Sequence, residues 1–114
     1  IKVYKTALNQ YRPYLTLQDA FKLFKFCVEK DFFQNDIFNV VSNNFTVGQI
    51  LKKIKKFKKK IRVDYVNSPI MNQLSYHVDK SKLSKQGLVL NSNLEKEIND
   101  TLNLFKNAKK WNVK

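Results

Sequence analysis

Ile37-Phe38-Asn39-Val40-Val41-Ser42-Asn43-Asn44-Phe45-Thr46-Val47-Gly48-Gln49-Ile50 separates a mixed chain from an all-helical one. Ile37 to Val41 is a nearly unbroken apolar run bounded by turn formers, the pattern of a strand buried on both faces. Ser42-Asn43-Asn44 reads as a turn, because short polar side chains mimic backbone partners there. Thr46 then opens a helix, with Gln49 three residues later as the second half of a capping box. In that helix Val47, Ile50, Leu51, Ile54 and Phe57 share one face, and Lys52, Lys53, Lys55, Lys56, Lys58 and Lys59 fill the rest. A strand passing straight into an amphipathic helix places the chain in the α/β class.

Upstream, Ile1 to Tyr4 alternates like a short strand and Lys5 to Pro13 reads as a loop. Thr16 is the expected N-cap of a helix over about Leu17 to Lys30, with Asp19 in the position that completes a near capping box. Ala20, Leu23, Phe24, Cys27 and Val28 make its apolar face, and Phe21 and Phe26 widen it. Such a helix needs cover on more than one side. Downstream, Ile61, Val63 and Tyr65 alternate with Arg62 and Asp64 as a half-buried strand, broken by Asn67-Ser68-Pro69. Ile70 to Gln73 reads as loop and Leu74 to Val78 as a short extended piece. Asp79 caps a helix over Lys80 to Gln86 that Gly87 closes. Ser92 and Glu95 cap the last helix, with Leu94, Ile98, Leu102 and Phe105 as its inner stripe and a frayed end toward Trp111. The expected fold is a small mixed α+β lobe of about four helices and three to four short strands, one domain over 1–114.

With 114 residues there is room for one modest core. The apolar fraction of 43% and aromatic fraction of 13% are those of a folded chain, not a disordered one. No apolar run reaches the length of a membrane helix, and no apolar leader is expected at the start. The chain opens on Ile1 and is expected to be a piece of something longer. The lone Cys27 cannot close an internal disulfide, which suits a cytoplasmic home.

The formal charge of +13 points first to a polyanion. Only Arg12 and Arg62 are arginine, however, whereas nucleic-acid readers lean on the planar Arg fork. Much of the Lys, Asn, Ile and Phe content matches what an AT-rich genome encodes, and the Lys run lies on the outer face of a helix. A small basic nucleic-acid-binding module is therefore the second reading, not the first. A third is an interaction domain without catalysis.

The chemistry-bearing residues are few. His77 and Cys27 stand apart from any carboxylate cluster, so a metal site is not expected. Cys27 lies on an apolar helix face and reads as packing. Gly48 and Gly87 are the only glycines, which leaves no phosphate-binding glycine loop. Tyr76 and Lys80 have the Tyr-x-x-x-Lys spacing of short-chain dehydrogenases, but that pair needs one helix, and Asp79 starts the helix after Tyr76.

Four strings in order resemble the C-terminal part of the extended short-chain dehydrogenase/reductase family, the nucleotide-sugar epimerases and dehydratases such as UDP-glucose 4-epimerase. They are Arg12-Pro13-Tyr14-Leu15-Thr16-Leu17-Gln18-Asp19, Phe38-Asn39-Val40-Val41 with Phe45-Thr46-Val47, Asp79-Lys80-Ser81-Lys82 to Gln86-Gly87, and Ser92-Asn93-Leu94-Glu95. The resemblance covers about residues 1 to 106. Thr16 stands where the family has His, and Pro69 to Leu74 lacks the family's Arg. The resemblance implies a substrate-binding portion lacking the Rossmann domain, which carries the cofactor loop and the catalytic residues. It implies that Arg12 contacts the phosphates of a nucleotide-sugar, that Asn72 lies near the ribose, and that Tyr76 borders the sugar. It further implies NAD or NADP in the whole enzyme and none on this chain, the missing Rossmann part as a partner, possible self-association, and no catalysis by this chain alone.

Overall fold

The computed structural model describes residues 1–67, 74–106 and 108. Strand β1 (Lys2–Tyr4) leads through a 3-10 turn (Lys5–Ala7) to β2 (Tyr11–Tyr14) and helix α1 (Leu17–Glu29). Then follow β3 (Asn43–Thr46), α2 (Val47–Phe57), β4 (Asp64–Val66), α3 (Ser81–Ser84) and α4 (Leu94–Leu104). This is the expected small mixed α/β lobe, and among the described residues there is no Rossmann sheet. No helix among them is long and apolar enough to cross a membrane.

Among the described residues, two separate two-stranded sheets organise it. β1 and β4 run parallel, with Lys2 opposite Asp64 and Tyr4 opposite Val66. Parallel pairing demands a long crossover, and the crossover here carries β2, α1, β3 and α2. β2 and β3 are antiparallel, with Arg12 opposite Phe45 and Pro13 opposite Asn44. Pro13 is tolerated because a two-stranded sheet consists only of edges.

The capping box forms in full. The Thr46 hydroxyl accepts from the Gln49 N–H at 3.1 Å, and the Thr46 N–H donates to Gln49 Oε1 at 2.8 Å. Gly48, just inside, lets the backbone approach closely. Its N–H donates to the Leu8 carbonyl at 2.9 Å, and a Cβ at this position would lie 2.9 Å from the same oxygen. Thr16 likewise caps α1, accepting from the Asp19 N–H at 3.1 Å. Gly87 closes the α3 segment in the left-handed region that favours glycine, at φ 90°.

Several sequence expectations are corrected. Ile37–Val41 is not a strand; pairing begins two residues later, on Asn43 and Asn44, where the sequence reads as a turn. Asn44 spends its side chain as a peptide mimic, exchanging hydrogen bonds with the N–H and C=O of Val78 at 3.0 and 3.1 Å. Phe38–Val41 meanwhile finds no strand edge, and its backbone makes no hydrogen bond to another described residue. β4 is displaced to Asp64–Val66 from the expected Ile61–Tyr65. Asn93, not Ser92, caps α4, accepting from the N–H groups of Glu95 and Lys96 at 3.0 and 3.2 Å. Leu74–Val78 is irregular, and α3 covers only the middle of the expected helix.

The largest correction concerns the inside of the lobe. Among the described residues, five apolar side chains are buried: Val3, Val41, Leu51, Leu83 and Leu90. Beside them lies a buried polar knot of Thr16, Asp19, Ser42 and Ser92, with Asp19 at 0% exposure. On α1 the side chains of Leu17, Phe21, Phe24 and Val28 are instead open to solvent, at 77, 68, 69 and 74%. Phe24 and Val28 were expected on the inner face.

Candidate functional site

β2 positions Arg12, and the β2–β3 ladder fixes where its side chain begins. From there the guanidinium reaches the segment after residue 73. Nη1 donates to the carbonyls of Tyr11 at 2.7 Å and Leu74 at 2.9 Å, and Nη2 donates to Gln10 Oε1 at 2.9 Å. The same guanidinium lies over the Tyr76 ring, 5.3 Å from its centroid, within the range of a cation–π contact. The Tyr11 N–H donates to the Ser75 hydroxyl at 3.0 Å, and the Tyr11 and His77 rings sit 4.2 Å apart. Two of the three expected site residues, Arg12 and Tyr76, are thus brought together across 64 positions of sequence (76 − 12). Tyr76 is half exposed, so the pair faces solvent. Asn72 lies outside the described residues. Burial raises the Tyr14 phenol above its ordinary pKa, against an opposing pull from Arg12.

No protein-family model matches this sequence, and no match is found among curated proteins or among solved structures.

Tyr76 and Lys80 do not form a proton-transfer pair. Tyr76 lies in irregular chain ahead of α3, while the Lys80 ammonium donates to the carbonyls of Ser42 and, at 2.7 Å, Leu90. Cys27 is half-buried on α1 and a free thiol. His77 is exposed and stacked on Tyr11.

Sequence reasoning missed the polar knot. The Asp19 carboxylate accepts from the Ser92 N–H at 3.0 Å, the Ser92 hydroxyl at 2.5 Å and the Lys22 ammonium at 3.2 Å. Burial alone would raise its pKa. Hydrogen bonds from Ser42, Ser92 and Lys22 outweigh burial and hold the carboxyl at about 2. Every donor to Asp19 is a protein group locking α1 to the segments at Ser42 and Ser92, so the role is structural. The available signal was a first-turn carboxylate lying next to the apolar face of its helix.

The lysine face is also more structured than expected. Lys52, Lys55, Lys56, Lys58 and Lys59 are exposed, but Lys53 is half-buried. Lys53 and Lys56 converge on Glu95 of α4, at 3.0 and 2.8 Å, and these contacts lower the Glu95 pKa. An apolar cleft of about 320 Å³ opens beside this junction, lined by Leu15, Leu17, Ile54, Leu94, Ile98 and Leu102 among others.

Proposed function

We propose that this chain is the substrate-binding portion of an NAD(P)-dependent nucleotide-sugar epimerase or dehydratase, holding the nucleotide-sugar while catalytic groups and cofactor belong to a Rossmann part. The observation that carries the reading is the meeting of Arg12 and Tyr76, the phosphate and sugar contacts that the four-string resemblance assigned to one ligand. A guanidinium on a strand end is a bidentate donor suited to a diphosphate. A phosphate arriving there competes with Gln10 Oε1 and the Leu74 carbonyl, both neutral acceptors, and a dianionic oxygen cluster is the stronger acceptor. The Tyr76 ring supplies an apolar wall beside the charge, as a sugar face requires. Asn72, four positions before Tyr76 in the sequence, is the proposed ribose contact. The chain's positive charge raises the local concentration of a dianionic ligand.

The test is titration of the chain with a UDP-hexose, followed by amide NMR. Shifts at Tyr11, Arg12, Ser75 and Tyr76, abolished by Arg12→Ala and retained in Lys58→Gln, are the expected result. Shifts spread over the α2 lysines instead, with single-stranded DNA displacing the ligand, would favour the basic nucleic-acid module.

A further inference from the structure

The positive charge of the chain is concentrated. Residues 47–63 hold seven lysines and one arginine and no acidic residue. Glu95 offsets Lys53 and Lys56, and Asp64 meets Arg62 at 3.1 Å. Lys52, Lys55, Lys58, Lys59 and Lys60 are exposed and make no ion pair or side-chain hydrogen bond among the described residues. Like charges crowded this closely repel one another, and nothing within the described residues relieves that repulsion.

Two open clefts flank the same helix, and each has a ring in its wall. One, of about 470 Å³, lies between α2, the 3-10 turn and β4, and is lined by Lys52, Lys55, Leu8, Asn9 and Tyr65 among others. The other, of about 280 Å³, is lined by Phe45, Gln49, Lys52, Lys53, Lys56 and Glu95. On α2 the first cleft uses Gly48, Leu51, Lys52 and Lys55, and the second uses Gln49, Lys52, Lys53 and Lys56. Each set is spaced i, i+3, i+4, i+7, so the two are neighbouring stripes of one helix. Lys52 belongs to both and forms the ridge between them. Tyr65 is 45% exposed, and the Lys53 ammonium lies 5.4 Å from the centre of the Phe45 ring.

We propose that the two clefts and the lysine ridge of α2 bind single-stranded nucleic acid. Lys52 and Lys55 take backbone phosphates, a base stacks on Tyr65, and the strand crosses the ridge toward Phe45. Lys58, Lys59 and Lys60 extend the basic track beyond the helix. Rings interleaved with ammonium groups are what a strand with exposed bases requires, since every base has a face to stack and every step a charge to neutralise. The shortage of arginine, which tells against reading base edges, does not tell against this mode: a phosphate needs a point charge, and lysine supplies one. A compact anion is the poorer occupant, because the lysines line a path instead of converging on one point. The inference does not rest on the nucleotide-sugar reading. Arg12 stands opposite Phe45 in the β2–β3 ladder, so the test is read at the Tyr65 cleft, which Arg12 does not line.

The probe is fluorescein-labelled oligo-dT of about eight nucleotides, read by anisotropy between about 50 and 200 mM salt. Saturable binding that weakens as salt rises is expected. Each phosphate neutralised contributes about 0.7 to the salt slope, so Lys52→Gln/Lys55→Gln is expected to lower that slope by about 1.4. Lys30→Gln/Lys85→Gln removes the same charge from exposed positions elsewhere and is expected to leave the slope unchanged. Tyr65→Leu is expected to weaken binding at least about fivefold with the slope kept. An abasic strand of equal length, which needs no protein variant, is expected to bind at least about tenfold more weakly and to ignore Tyr65→Leu. Absence of binding at the lowest salt overturns the proposal. So does equal binding of the abasic strand, which would mean attraction to any polyanion, or an equal loss from the Lys30/Lys85 pair. The UDP-hexose titration is read at Arg12 and Tyr76 and the oligonucleotide at Lys52, Lys55 and Tyr65, so either can fail alone.

Discussion

Replacing Asp19 with asparagine removes one charge from the centre of the polar knot and changes little else in size. The Asp19 carboxyl titrates at about 2 in the folded chain against an ordinary 3.8. At about 1.4 kcal/mol per pKa unit, that depression corresponds to about 2.5 kcal/mol of stability at neutral pH. The folded pKa is the lower one, so the contribution is fully present above about pH 4 and is lost as pH falls through about 2. The introduced side-chain amide would also turn an N–H toward the Ser92 N–H or hydroxyl, setting donor against donor where the carboxylate accepted from both. Asp19→Asn is therefore expected to lower the unfolding free energy by about 2–3 kcal/mol at pH 7. The difference from the natural chain should shrink steadily between pH 4 and pH 2. Urea denaturation followed by circular dichroism at several pH values reads both. Other carboxylates, such as Asp36 and Asp79, are also held low, so the natural-minus-variant difference is the informative quantity. A difference under about 0.5 kcal/mol at pH 7, the scatter of ordinary surface changes, or one independent of pH down to 2, would refute this account of the knot. With five buried apolar side chains among the described residues, a loss of that size is a large fraction of a marginal stability.

Leu83→Ala, at a side chain 2% exposed, is expected to cost about 2–4 kcal/mol by the same denaturation assay, as a cavity in a small core should. Gly48→Ala drives a Cβ against the Leu8 carbonyl and is expected to destabilise by about 1–3 kcal/mol, whereas an unaffected melting curve would mean the 3-10 turn yields freely. Thr46→Ala breaks the capping box and should cost about 1 kcal/mol. Calorimetry with NAD or NADP is expected to show no binding at physiological concentrations, and micromolar affinity would contradict the substrate-portion reading.

The legible parts of the sequence were those set by local chemistry. Thr46 with Gln49 and Thr16 with Asp19 fixed two helix starts because capping is decided within four residues. The alternation from Ile1 to Tyr4 marked a strand, although its partner, Asp64–Val66, lies beyond any local signal. Phe38–Val41 was illegible because a strand's composition does not supply its partner, and a strand exists only when an edge is present to pair with it. Asn43 and Asn44 were mistaken for a turn because the Asn44 amide finds Val78, 34 positions away. On α1, hydrophobic periodicity located an apolar arc but could not say which part of it the chain itself covers. Asp19 settled that, since its carboxylate, held by Ser42 and Ser92, turned the helix so that Phe21 and Phe24 faced outward. At the candidate site, the contact of Arg12 with Tyr76 spans 64 positions, and no local signal marks either it or the other partners of the guanidinium.

The pairing of β1 with β4 sets a timetable for the chain. Lys2 has its partner at Asp64, and Tyr4 at Val66, so 62 residues separate each pair (64 − 2). At ribosomal rates of about 5–20 residues per second, β1 waits roughly 3–12 s for its partner to be made. All of β2, α1, β3 and α2 emerge in that interval, and the Phe-rich stripe of α1 appears early in it. β1 is thus made before β2 and β3 yet paired after them, and the nascent chain shows the Phe-rich stripe of α1 while the β1–β4 sheet is still incomplete. The order of the strands leaves that stripe made for seconds before β1 meets its partner.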